Sequence, residues 1–191
     1  MTTRERGWGY AAALVAVFAA GCGYNTIQTY DEQVNAAASQ IKVQLQRRAD
    51  LIPNVVETVK GYAKQEQTVF TEVAEARARL AGAVQSGNLQ QMAEANTALT
   101  APLGRLLAIA ESYPQLKSNE NFRALQDQLE GTENRIAVAR QDYNEAVNRY
   151  NAYIRSFPQV LTAKVLGKGP RPYFELETPG AAQAPKVDFS K

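Results

Sequence analysis

Apolar residues recur through most of the chain with the seven-residue period of helices packed face to face. Ile27, Val34 and Ile41 fall on one row, with Tyr30, Ala37, Ala38 and Leu45 beside it, which predicts a helix with one buried stripe. Arg48 comes next on the first row, so the spacing turns its guanidinium inward, where a charge needs a partner. A second helix follows, with Ile52, Val59, Val73 and Leu80 on one row and Val55, Tyr62, Val69 and Ala76 on the other. Glu66 interrupts the first of these. Asp50 ahead of Leu51-Ile52-Pro53 reads as an N-cap with proline in the first turn, placing a turn near Ala49 and Asp50. Ser86-Gly87-Asn88 is the next turn signal. Met92, Leu99, Leu106 and Tyr113, beside Leu103 and Ala110, then make a third helix that Pro102 is expected to kink or restart. Ser118 reads as the N-cap of the longest segment, in which Phe122, Leu129, Ile136, Tyr143, Tyr150 and Phe157 keep the period beside Leu125, Ala139, Ala146 and Tyr153. Phe157-Pro158 stops it. The pattern predicts an all-α fold, an elongated up-and-down four-helix bundle, followed by an extended Pro/Gly-rich C-terminal arm over residues 158–191. Tyr173-Phe174-Glu175-Leu176 and Val187-Asp188-Phe189 are short apolar pieces of that arm.

Composition narrows the chemistry. The 191 residues are 45% hydrophobic and 21% charged, a globular balance. Lys and Arg number 21 against 19 Asp and Glu, so no basic footprint for nucleic acid exists. Histidine is absent, which removes Ser-His-Asp and Cys-His catalysis, His-ligated zinc and the Glu-x-x-His di-iron bundle. The lone cysteine, Cys22, has no partner within the chain for a disulfide or a thiolate metal site.

Its position suggests another use. Arg4 and Arg6 precede an apolar run from Trp8 to Ala20, and Ala19-Ala20-Gly21 leads directly to Cys22. This order resembles a bacterial lipoprotein signal, in which the cysteine is acylated and becomes the first residue. On that reading residues 1–21 are a signal peptide and residues 22–157 form the helical bundle. Acylated Cys22 then holds the protein to the bilayer. The alternative is an uncleaved membrane helix, although Trp8 to Gly23 is shorter than the ~20 apolar residues a span prefers. Gly23 after Cys22 resembles sorting to the periplasmic face of the outer membrane in two-membrane bacteria, the alternatives being the inner membrane or a one-membrane host.

The run from Gln44 to Tyr62, including Arg47-Arg48-Ala49-Asp50-Leu51-Ile52-Pro53-Asn54, and the run Glu111-Ser112-Tyr113-Pro114-Gln115-Leu116-Lys117-Ser118-Asn119-Glu120-Asn121-Phe122 closely resemble the LemA family. The likeness continues through Thr132-Glu133, Arg140, Tyr143-Asn144, Val147, Tyr150-Asn151 and Phe157-Pro158 to Pro185-Lys186-Val187-Asp188-Phe189. It implies a bundle in the bromodomain-like arrangement, held at the bacterial membrane, with an association with envelope quality control. It implies no established molecular activity and no cofactor.

Ser39-Gln40-Ile41-Lys42 matches the Ser-x-x-Lys of penicillin-binding proteins, but it lies mid-helix between core positions and has no Lys-Thr-Gly companion. Glu72 with Glu75, Asp127 with Glu130, and Glu130 with Glu133 share helix faces, the only resource for a carboxylate-based metal-binding or hydrolytic enzyme. The favoured reading is a non-catalytic, extracytoplasmic scaffold or adaptor. At 1.5 Å per residue, a helix from about Tyr24 to Arg48 rises roughly 37 Å from the bilayer. The two densest motifs are expected to meet at its far end as a tip made of Arg47, Arg48, Asp50, Pro53, Asn54, Glu111, Tyr113 and Pro114. That tip either caps the helices, with Arg48 paired to Glu111, or binds an unidentified envelope protein. Lys164, Lys168 and Arg171, set among Leu161, Val165, Leu166, Tyr173 and Phe174, suit a lipid headgroup interface, unless those aromatics simply cover the core.

Overall fold

The heptad rows become helices in the computed structural model, which describes the backbone of residues 3–174 and the side chains from Gly23 onward. The thiol of Cys22 and the arm pieces beyond Phe174 therefore lie outside the described residues. Six helices and no strand are found among those described: α1 (Thr3–Lys60), α2 (Gln67–Ser86), α3 (Leu89–Glu111), α4 (Pro114–Lys117), α5 (Glu120–Arg155) and α6 (Gln159–Val165). They fall into two compact units. One takes the chain up to Gln44 and from Glu133 to Tyr173; the other takes Leu45–Thr132 with Phe174. In the first, Ile27, Val34 and Ile41 of α1 are buried, as are Ile136, Tyr143, Val147 and Tyr150 of α5. Tyr30 meets Tyr153 edge to face with ring centroids 5.2 Å apart.

In the second unit α2 packs along α3, and Ile52, Val59, Val73, Leu80, Met92, Leu99 and Leu106 are buried. Each such side chain contributes about 1.5–3 kcal/mol relative to exposure. The turn at residues 86–88 forms as its residues require. Gly87 adopts φ 71°, and the Asn88 side chain accepts the backbone N–H of Gln91 at 3.1 Å to cap α3.

The expected turn at Ala49 and Asp50 is absent. Helix α1 continues through Pro53 to Lys60, and the chain breaks instead at residues 61–66. Asp50 is a mid-helix residue whose carboxylate accepts the Gln46 side chain at 2.8 Å. Pro53 has no N–H, so it frees the carbonyl four residues back, on Ala49, and that residue is fully buried. An unsatisfied carbonyl there is costly. Arg77 of α2 supplies the missing donor, its Nε donating to the Ala49 oxygen at 2.8 Å. Pro102 leaves α3 unbroken as well, and the carbonyl it frees belongs to Ala98, which is exposed to water.

The break at residues 61–66 shifts the apolar phase: Tyr62 is exposed, while Ala63 and Phe70 are buried. At the same end of this unit the N-cap of α5 is Asn119 rather than Ser118, its side chain accepting the Phe122 N–H at 3.0 Å. The arm, expected to lack helix, opens with the seven residues of α6.

Arg77→Met should destabilise the protein by about 1–3 kcal/mol by stranding the Ala49 carbonyl. In a Pro53→Ala background the restored amide takes that carbonyl, so the same change should cost less than about 1 kcal/mol. A double-mutant cycle by urea unfolding checks this; equal costs in both backgrounds would refute it.

Candidate functional site at the C-terminal clasp

Asp31 stands on α1 between Ile27 and Val34, four residues after one buried position and three before the other, which turns its carboxylate inward. It is 7% exposed. A buried carboxylate demands cations, and the chain beyond α6 brings two. Lys168 Nζ donates to Oδ2 at 2.6 Å, while Arg171 donates to Oδ1 through Nη2 at 2.7 Å and through Nε at 3.1 Å. Burial by itself pushes the Asp31 carboxyl up, but the hydrogen bonds and charges of Lys168 and Arg171 outweigh it and hold the group below the usual carboxylate range. The same bond to Asp31 raises Lys168 above its ordinary value.

Helix α5 holds the backbone of the same segment. Asn151 accepts the Arg171 N–H at 2.8 Å through Oδ1 and donates through Nδ2 to the Arg171 carbonyl at 2.9 Å, so one amide side chain satisfies both backbone groups of one residue. The Tyr143 hydroxyl donates to the Pro172 carbonyl at 2.9 Å, and the Tyr150 hydroxyl to the Gly169 carbonyl at 3.3 Å. Burial raises both phenols above their ordinary value, so they stay protonated donors. The spacing is geometric. Seven residues of helix rise about 10.5 Å, and the three residues from Gly169 to Pro172 span about 10 Å when extended. The arm therefore lies antiparallel along α5, with two tyrosines one heptad apart reaching two of its carbonyls.

The clasp overturns the expectation that Lys168 and Arg171 face lipid headgroups, since both are committed to Asp31. It was also missed in the sequence. Tyr143 and Tyr150 read as apolar core because their period is that of the core, and the period says nothing about a hydroxyl. The available signal is Asp31 itself, an acid on the inward face of the helix between Ile27 and Val34.

The residues expected at a tip are separated along their helices. Arg47, Asp50 and Asn54 are exposed mid-α1 positions; Arg48 stands twelve residues before the end of α1, about 18 Å along the helix. Arg48 is buried, as its row requires, and its Nη1 donates to Asn96 Oδ1 of α3 at 2.6 Å. The expected pairing with Glu111 presumed a helix end at Asp50. Glu111 is exposed and lies fifteen residues beyond Asn96, about 22 Å farther along α3. Tyr113 and Pro114 lead into α4. The two motif-rich runs do meet, at Tyr62 and Asn119, where Asn119 Nδ2 donates to the Tyr62 hydroxyl at 3.3 Å.

The catalytic candidates carry ordinary helix interactions. The Ser39 hydroxyl donates to the Asn35 carbonyl one turn back, and Glu72 receives Arg105 in an ion pair. Among the described residues no group of three or more acidic or cysteine side chains is placed to hold a metal.

Residues 37–189 match the sequence profile of the LemA family, most of the chain. The chain belongs to the LemA family. Its relatives include two Magnetosome proteins, MamQ 2 and MamQ 1, of Paramagnetospirillum magneticum, each 28% identical over 180 residues, and the Magnetosome protein MamQ of Magnetospirillum gryphiswaldense at 27%. The alignments cover 82% of this chain and 66% of each relative, slightly less than two thirds of their length. The LemA resemblance in Tyr143, Tyr150 and Asn151 now has a structural meaning, because these side chains hold the arm.

The depressed Asp31 carboxyl contributes stability that is complete above about pH 4, its ordinary value, and that is lost as the pH falls through its lower folded value. Asp31→Asn should therefore cost about 1–3 kcal/mol at neutral pH, with the two proteins converging in acid below pH ~4. Urea unfolding across that range measures it; a constant difference down to the most acid pH would contradict the clasp.

Proposed function

We propose that the protein is a membrane-anchored, non-catalytic scaffold or adaptor of the LemA type, exposed on the extracytoplasmic side of a bacterial envelope. The observation that carries this reading is the continuity of α1. One helix contains the apolar run Trp8 to Ala20, Cys22, and the buried rows that begin at Ile27. Whatever holds the N-terminal segment at the bilayer is thereby coupled to the folded body without a flexible linker. LemA membership and the MamQ relatives support membrane association. Among the residues whose side chains are described, from Gly23 onward, no helix is long and apolar enough to cross a membrane, and the anchor in this proposal is a lipid on Cys22. The finer arrangement, an up-and-down bundle standing on that lipid with the periplasmic face of the outer membrane as its site, belongs to the same proposal, as does a role in envelope quality control.

A partner-binding surface fits the end where Tyr62 meets Asn119. That end presents Tyr62, Gln115 and Lys117, all exposed. Mass spectrometry of protein extracted from the producing membrane should show loss of residues 1–21 and acyl mass on Cys22. An intact Met1 together with an unmodified thiol would overturn the lipid anchor. Photocrosslinking in cells from Tyr62 and from Gln115 should capture the same envelope protein, absent from a control at exposed Val43; different or no products from the two positions would remove the adaptor reading.

A further inference from the structure

Helix α6 turns two different faces to its surroundings. Ala163 is 2% exposed and Gln159, Thr162 and Leu166 are half-buried, whereas Phe157 in the preceding turn is 81% exposed, Leu161 55% and Val165 87%. Leu161 and Val165 stand four positions apart in α6 and so share one side of it, while Phe157 is exposed in the turn that leads into the helix. Single exposed apolar residues need no explanation, but three so close along the chain, uncovered by any of the described residues, do.

The position of this face is fixed by its buried side. A Cβ placed on Gly23 would stand 3.4 Å from Gln159 Cγ and 3.8 Å from Thr162 Oγ1, so α6 lies against α1 at Gly23. Gly23 directly follows Cys22 and comes three residues after the apolar run ends at Ala20. On either form of anchor, acylated cysteine or retained apolar helix, the bilayer begins beside α6.

The charges around it have one sign. Arg149 is paired with Glu145; from Tyr150 to Phe174 the chain carries Arg155, Lys164, Lys168 and Arg171 and no acid, and residues 7–30 carry no charge at all. The nearest acid on α1 is Asp31, which Lys168 and Arg171 neutralise. Arg155, the last residue of α5, and Lys164, in the last turn of α6, remain exposed. A second copy of this face would bring like charges together, while an anionic lipid surface complements them.

We infer that the Leu161 and Val165 face of α6, with exposed Phe157 in the turn before it, is a foot that enters the headgroup region of an anionic bilayer beside the N-terminal anchor, with Lys164 and Arg155 facing lipid phosphates. The foot extends the anchored-scaffold reading and rests on it. A short helix with an apolar side and flanking cations binds a membrane weakly alone, but tethered beside an anchor it works at high effective concentration. Its consequence is orientation: an anchor alone leaves the body free to tilt, and a second contact restrains it.

The test uses the full chain carrying Trp8→Phe, which removes its single native tryptophan, with a reporter introduced as Val165→Trp. The control reporter is Val43→Trp, also at an exposed position and about 30 Å farther along α1 from Gly23. Each protein is reconstituted into phosphatidylethanolamine and phosphatidylglycerol vesicles containing brominated acyl chains, and vesicle association is followed by flotation. The inference expects both proteins to float, the reporter at 165 to shift to shorter wavelength and be quenched, and the reporter at 43 to remain in water. Quenching at 165 should weaken when phosphatidylcholine replaces the anionic lipid. A floating protein whose reporter at 165 behaves like that at 43 overturns the foot and leaves the anchor standing. A blue-shifted but unquenched reporter assigns the face to protein contact instead. Failure to float overturns anchor and foot together.

Discussion

An ionised carboxylate at 7% exposure cannot be left alone in a protein interior, and Asp31 sets that condition for the first unit. Its two cations come from residues 137 and 140 positions farther along the chain, so satisfying one charge on α1 requires the segment after α6 to return across the unit. Once Lys168 and Arg171 are drawn in, the backbone between and beyond them is buried too and needs partners of its own. Asn151, Tyr150 and Tyr143 meet that second demand. The position of α6 follows as well, because it lies between the end of α5 and the clasp, against α1 at Gly23.

The second unit rests on the same kind of demand, met by the same means. Pro53 removes one amide, a buried carbonyl loses its partner, and Arg77 provides the replacement from α2. Arg48 and Asn96 join α1 to α3 through a second buried polar pair. Both units therefore combine apolar rows, which bring helices together without a strict register, with buried polar contacts that accept one register only.

The apolar rows were legible in the sequence because they depend on local period. Burial of Ile27, Val34, Ile41, Arg48, Leu80, Leu99, Ile136 and Tyr150 follows from spacing alone. The turn at Gly87 and the stop at Phe157-Pro158 follow from local backbone chemistry. The helix end near Asp50 was misplaced because the residue that keeps the helix intact, Arg77, lies 28 positions away. The clasp was hidden for the same reason: its partners are distant in the chain, and its tyrosines occupy positions that an apolar residue would also fill. A pairing of Arg48 with Glu111 requires a turn at Asp50, and α1 runs through that position to Lys60.

The central claim, that residues 168–172 are held against α1 and α5 by the Asp31 clasp, can be read at one atom. The Arg171 amide donates to Asn151 Oδ1 beside the ion pair, so hydrogen exchange followed by NMR at that amide reports the clasp directly. The account expects protection comparable to the amides of the buried stretch of α5, and its loss in Asp31→Asn while α5 keeps its own protection. Exchange of the Arg171 amide at the rate of an unstructured chain would contradict it.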